Sequence, residues 1–227
     1  QALYDVALVL ETPFISGKDS MKNDYKIGDT KISDPPTLLI SALTLIDDVR
    51  SACTMEVKAA GDLVYVLGQT ADELLASEYS AVCDCGPSAL PSYDPAAAKR
   101  LYTQVHQTIQ SGLLASCHDC SDGGLAVALA EAAFGGGFGL EADLTALPCR
   151  GDVGPTARLF SESASRFVVT VDPKHQAAFE KLMAEQPCAR IGQTTEVQRL
   201  RIVLGEAKLI DLALEELKAS WQNPIIT

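Results

Sequence analysis

Cys117-His118-Asp119-Cys120-Ser121-Asp122-Gly123-Gly124-Leu125-Ala126-Val127-Ala128-Leu129-Ala130-Glu131-Ala132-Ala133-Phe134, followed by Gly135-Gly136-Gly137, is the stretch that organises this chain. Residues 125–134 are rich in Ala and Leu and apolar almost all round, so they read as a buried helix that the three glycines stop. Two more glycines open it, although glycine costs about 1 kcal/mol relative to alanine inside a helix. At a first turn that cost can serve close approach of the backbone to a ligand. The free N–H groups and the helix dipole there favour an anion. Ser121 or Asp122 can cap the helix while the other faces the ligand. Asp119 can hold Mg2+, which favours carboxylates together with phosphate oxygens. An ordinary capped tight turn explains the same spacing equally well, and the local residues do not separate the two.

Working outward, Leu113–Ser116 reads as a short strand entering this turn. Asp94-Pro95 makes an N-cap and first helical residue. Ala98, Leu101, Tyr102, Val105 and Ile109 then fall at helical spacing, with Gly112 just past the end. Strands are expected at 63–68, after the Gly61-Asp62 turn, and at 138–143, 166–171, 189–193 and 199–204. Helices are expected at 174–185 and 208–220. Nearer the start, 2–11 reads as a largely buried helix ended by Thr12-Pro13. Residues 21–36 read as a polar surface excursion. The continuous apolar run 37–46 reads as a buried strand. A boundary falls near 50–60. Strands and helices interleave without strict alternation, which predicts a mixed α/β fold of the α+β sandwich kind, not a doubly wound parallel sheet.

With 47% hydrophobic residues among 227, the chain can bury a core. A net charge of −12 excludes a broad basic surface for nucleic acid but leaves room for a small anion on a local backbone nest. No apolar run reaches transmembrane length, and no signal peptide is read at the start. Seven cysteines, an odd number, suggest free thiols and a cytoplasmic setting. The chain begins at Gln1, directly in a helix and without Met, which reads as a piece of something longer. Cys117-x-x-Cys120 and Cys83-x-Cys85 do not share the spacing of paired zinc knuckles, so small buried thiols are expected. Ser16-Gly17-Lys18-Asp19-Ser20 is not a Walker A loop. Its glycine, lysine and hydroxyls suit phosphate contact or a plain polar loop. The polar clusters Ser77-Glu78-Tyr79 and Ser161-Glu162-Ser163 are uninformative alone, and His106 and His175 are expected to face solvent.

Taken in order, several pieces resemble one family. They are Phe14-Ile15-Ser16-Gly17-Lys18-Asp19-Ser20-Met21, Pro36-Thr37-Leu38-Leu39-Ile40-Ser41-Ala42, Asp47-Asp48-Val49, Ser77-Glu78-Tyr79, His118 to Leu125 with Ala130-Glu131-Ala132-Ala133-Phe134, Leu159-Phe160-Ser161-Glu162-Ser163 and Ile191-Gly192. The series is similar to the end of the synthetase part of phosphoribosylformylglycinamidine synthase, a purine-pathway amidotransferase, and it spans nearly the whole chain. The resemblance implies the tail of an AIR-synthetase-like N-terminal domain at 1–58 and an AIR-synthetase-like C-terminal domain at 59–227. It also implies a ligase reaction in which ATP activates an amide oxygen as an iminophosphate and glutamine-derived ammonia displaces phosphate to give the amidine. Cofactors are then ATP or ADP with Mg2+. Gly17, Lys18, Asp19, Ser20, Ser121, Asp122, Gly123 and Gly124 face phosphate-bearing ligands, and Asp119 is the metal ligand. No catalytic residue falls in this stretch, and the piece alone is expected to be inactive. Implied partners are a nucleotide, a ribonucleotide substrate, and the remaining synthetase and glutaminase domains, with no nucleic acid and no membrane. A bare edge at strand 37–46 predicts a homodimer. The alternatives are another ATP user of the same superfold, of the selenophosphate synthetase, thiamine-phosphate kinase or hydrogenase-maturation type, or a module that holds a nucleotide only structurally.

Overall fold

The computed structural model describes residues 1–18, 24–33 and 37–223. It divides into two compact units, Gln1–Arg50 and Ser51–Thr227. In the first unit, helix α1 (Ala2–Leu10) ends at Glu11, whose left-handed φ of 57° lets Thr12 N–H reach the Ala7 carbonyl at 3.0 Å. Strands β1 (Tyr25–Ile27) and β2 (Thr30–Ile32) form an antiparallel hairpin over Gly28-Asp29. Gly28 has a φ of +58°, the conformation a two-residue hairpin turn demands.

Two expectations fail in this unit and one is refined. The excursion at 21–36 is exposed throughout its described part, as expected, and carries a hairpin there. Helix α1 has no buried residue. The run 37–46 forms no strand, and Leu39 and Leu45 are 86% and 96% exposed. Its composition is right for a buried strand, but a strand is defined by its ladder partners. Among the described residues the run joins neither sheet and so has no ladder.

The second unit is a seven-stranded sheet with helices on both faces. In chain order its elements are β3 (Leu63–Leu67), α2 (Glu78–Val82), α3 (Pro95–Gln110), β4 (Ser116–Asp119), α4 (Gly124–Gly136), β5 (Gly139–Asp143), α5 (Pro155–Phe160), β6 (Phe167–Val171), α6 (Gln176–Met183), β7 (Cys188–Thr195), β8 (Arg199–Leu204), β9 (Ala207–Ala213) and α7 (Leu214–Gln222). The spatial order is β4-β6-β3-β7-β5-β8-β9, antiparallel throughout except for the parallel β5–β8 pair.

Strand β3 is buried on both faces, and its period-2 alternation feeds two cores. Leu63, Tyr65 and Leu67 pack with Leu101 and Val105 of α3 and with Phe179 and Met183 of α6. Val64 and Val66 pack with Leu125, Leu129 and Ala133 of α4, joined by Leu159 and Leu214. Helix α4 lacks a polar stripe because its surroundings are the sheet on one side and α5 and α7 on others. The α+β sandwich expected from the sequence is therefore present.

Two boundaries moved. The strand expected at 113–116 lies at Ser116–Asp119, where its ladder on β6 pairs Cys117 with Val169 and Asp119 with Phe167. The helix expected at 208–220 starts only at Leu214. Residues 207–213 turn back at Gly205-Glu206 and pair with β8, because the hairpin offers a ladder that local helix propensity does not outweigh.

Candidate functional site at one end of the sheet

Because β3 and β4 both run antiparallel to β6, Leu67 and Asp119 lie opposite Phe167. The C-terminal ends of β3 and β4 and the segment entering β6 therefore meet at one end of the sheet. The 119–124 turn and the 68–73 segment begin there, and the 161–166 segment ends there. Cys120 N–H donates to the Arg166 carbonyl at 2.9 Å and locks the turn to that segment.

Asp119 is the last residue of β4, and its side chain is 65% exposed. The Ser121 hydroxyl donates to Asp119 Oδ2, and His118 Nδ1 stands 3.4 Å from Oδ1. The Ser121 hydrogen bond, aided by His118, holds the Asp119 carboxyl below the usual carboxylate range. Ser121 and Asp122 are exposed. Neither caps α4 with its side chain, which corrects the sequence expectation: the Ser121 hydroxyl is spent on Asp119, and Gly123 occupies the N-cap with a left-handed φ of 76°. Gly124 N–H is satisfied by the Ser121 backbone carbonyl at 3.0 Å.

The glycines are explained by the protein's own packing. A Cβ on Gly124 would stand 2.5 Å from the Ser161 carbonyl oxygen, and one on Gly123 would stand 2.4 Å from a Val127 methyl. The backbone approach that the sequence allowed for a ligand is made here to Ser161. The helix N-terminus also already faces an anion. Glu162 Oε1 accepts Gly123 N–H at 2.9 Å and Glu78 N–H, the first of α2, at 2.9 Å. One carboxylate thus serves two helix N-termini.

Beneath the 161–166 segment lies a polar network. Arg166 is 1% exposed and donates to the carbonyls of Ser163 and Ser161 and to Thr70 Oγ1. Glu73, also buried, accepts on Oε1 from Ser92 N–H, the Ser92 hydroxyl and Arg150. Burial opposes its charge, but hydrogen bonds from Ser163 and Ser92 and the Arg150 guanidinium hold its carboxyl below the usual range. Glu73, Ser92, Arg100, Arg150 and Ser165 line a cavity of about 360 Å³ at this end of the sheet.

The cysteines of the turn are inert by environment. Burial pushes the Cys117 thiol up to about 12 and the Cys120 thiol up to about 11, so both stay protonated near neutral pH. No group of three or more His, Cys, Asp or Glu side chains suited to a metal occurs among the described residues. A lone exposed carboxylate beside a hydroxyl still fits Mg2+ bound mostly through phosphates and water.

Gly17 and Lys18 sit in an exposed irregular segment of the first unit, while Asp19 and Ser20 lie outside the described residues. Sequence reasoning missed Glu162, the buried Arg166 and the pairing of His118 with Glu131. The available signal was Arg166 itself, a charge placed directly before the buried run Phe167-Val168-Val169-Thr170-Val171.

Residues 59–205 match the family model for the C-terminal domain of AIR synthase related protein. Over 99% of its length the chain is 33% identical to the phosphoribosylformylglycinamidine synthase subunit PurL of Deinococcus radiodurans. It spans 31% of that relative's length. Two solved structures of Thermotoga maritima PurL share the fold. The complex with FGAR has a TM-score of 0.66 at 20% identity, covering 74% of this chain and 30% of that one. The complex with ATP has a TM-score of 0.62 at 19% identity, covering 74% and 27%. No helix among the described residues is long and apolar enough to cross a membrane. The match over 59–205, carried on a sheet with helices on both faces, makes this chain a member of the AIR synthase related family.

Proposed function

We propose that this chain is part of the synthetase region of a phosphoribosylformylglycinamidine synthase, an ATP-dependent ligase of purine biosynthesis working in the cytoplasm with further synthetase and glutaminase domains. The observation that carries this reading is the 33% identity running through both units to a PurL subunit. The other ATP users of the superfold are not favoured by it. In this reading residues 1–58 continue an N-terminal domain, and 59–227 form the C-terminal one.

The exposed Asp119 carboxylate would hold Mg2+, and Ser121 both orients Asp119 and contacts the nucleotide. Asp122, Gly123 and Gly124 shape the turn around it, and Gly17, Lys18, Asp19 and Ser20 are proposed as phosphate contacts in their own right. A bound Mg2+–nucleotide supplies the phosphoryl group and neutralises its charge. The part played by this chain is to place one carboxylate and one hydroxyl at the end of a rigid strand. Calorimetric titration with Mg·ADP tests the assignment. Asp119→Ala is expected to weaken binding at least about tenfold, and an unchanged affinity removes Asp119 as a ligand.

The apolar run 37–46 supports self-association. Its exposed Leu39, Leu43 and Leu45 suit burial against a second copy. Size-exclusion chromatography is expected to show a dimer that Leu43→Lys shifts toward monomer. A monomer at high concentration refutes it.

A further inference from the structure

A line of contacts links Asp119 on β4 to α4 and α7. His118, next to it on β4, places Nδ1 3.4 Å from Asp119 Oδ1, and its Nε2 lies 2.8 Å from Glu131 Oε2 on α4. The other Glu131 oxygen accepts the Trp221 indole N–H of α7 at 3.1 Å, and the Trp221 ring packs on Phe134 with centroids 5.8 Å apart. Exposure is lowest in the middle of the line: 65% at the Asp119 side chain, 14% at His118 and 24% at Glu131, with Trp221 59% exposed at the far end.

This arrangement is a poor way to gain stability. An imidazole half-shielded between two carboxylates carries a desolvation cost, and a hydrophobic pair of similar volume would hold β4 to α4 at least as well. It is an effective way to fix a side chain. A surface aspartate samples several rotamers, and a ligand that needs one of them must offset the lost freedom. Here Ser121 holds Oδ2, His118 faces Oδ1, and the His118 ring is itself fixed by Glu131 on a rigid buried helix. The Asp119 side chain still remains 65% exposed.

We infer that His118 and Glu131 are positioning residues for the Asp119 carboxylate, with Trp221 fixing Glu131 from α7; this rests on the reading of Asp119 as a Mg2+–nucleotide ligand. The 227-residue chain tests it through calorimetric titration with Mg·ADP and through the emission of Trp221, the chain's single tryptophan. His118→Ala and Glu131→Ala are expected to weaken binding about tenfold, the usual effect of losing a partner that orients a metal ligand. Glu131→Gln keeps an oxygen for His118 and recovers most of the affinity. Mg·ADP shifts Trp221 emission in the unmodified chain and in Glu131→Gln but not in His118→Ala. If Asp119→Ala loses binding while His118→Ala and Glu131→Ala keep it, the positioning role is overturned and the Asp119 reading survives. If Asp119→Ala binds unchanged, both fall together.

Discussion

Arg166→Ala lowers the stability of the second unit by about 3–5 kcal/mol, the range found when one member of a buried charged network is removed. At roughly 2–4 °C per kcal/mol for a unit of this size, the melting temperature drops by roughly 6–20 °C. The guanidinium is almost fully buried and donates to two carbonyls and to Thr70. Burial pulls its pKa down, while the nearby Glu73 and Glu162 carboxylates favour its charge. Removing it strips donors from buried acceptors, opens a cavity and leaves those carboxylates without their nearest buried cation. Arg166→Met keeps most of the volume but none of the fork, so it recovers only the cavity part. Arg166→Lys restores charge but offers a single point of donation where three separated acceptors need a planar fork. Urea melts followed by circular dichroism order the variants as Arg, Lys, Met, Ala. A loss below about 1 kcal/mol for alanine contradicts the network's importance.

Gly124→Ala is expected to cost about 2–5 kcal/mol. Two causes add. The residue sits at a φ of +67°, where an L side chain costs about 1–2 kcal/mol. The new Cβ would also lie 2.5 Å from the Ser161 carbonyl oxygen and 2.9 Å from the Phe160 carbonyl carbon. Both are backbone atoms, so relief requires moving the 160–162 segment, and overpacking of this kind costs about 1–3 kcal/mol. That movement also loosens Glu162 from Gly123 N–H and Glu78 N–H. Gly123→Ala meets only a Val127 side chain, which can rotate, so it is expected to be milder. Comparing the two by thermal melts separates backbone strain, common to both, from the collision with Ser161. Equal losses would leave the Ser161 contact without a role.

The glycine pair shows how local signals misdirect. From the residues alone, two glycines before an apolar helix suit a ligand's approach, and the partner that approaches Gly124 is Ser161, 37 positions away. Asp119 and Ser121 could be named as candidates from the residues alone, because a carboxylate and a hydroxyl carry their chemistry with them. Ser121 as a cap was not, because whether its hydroxyl turns to the helix or to Asp119 depends on the geometry of the turn. His118 was passed over because its partner lies on another element, and nothing in the spacing of 118 and 131 announces a hydrogen bond.

The sequence by itself determined the elements whose signals are local. Strand β3 follows from its apolar run, α3 from Asp94-Pro95 and its spacing, and α4 from its glycine stops. The ordered motifs likewise determined the family. Tertiary structure alone decided that 207–213 is a strand and that 37–46 lacks a ladder. It alone decided that Glu162 occupies the N-terminus of α4, and that the buried Arg166 ties the 161–166 segment to Thr70. Helices and caps satisfy their hydrogen bonds within a few residues. Strands and buried charges are defined by partners distant in the chain, and only the folded sheet brings those partners within reach.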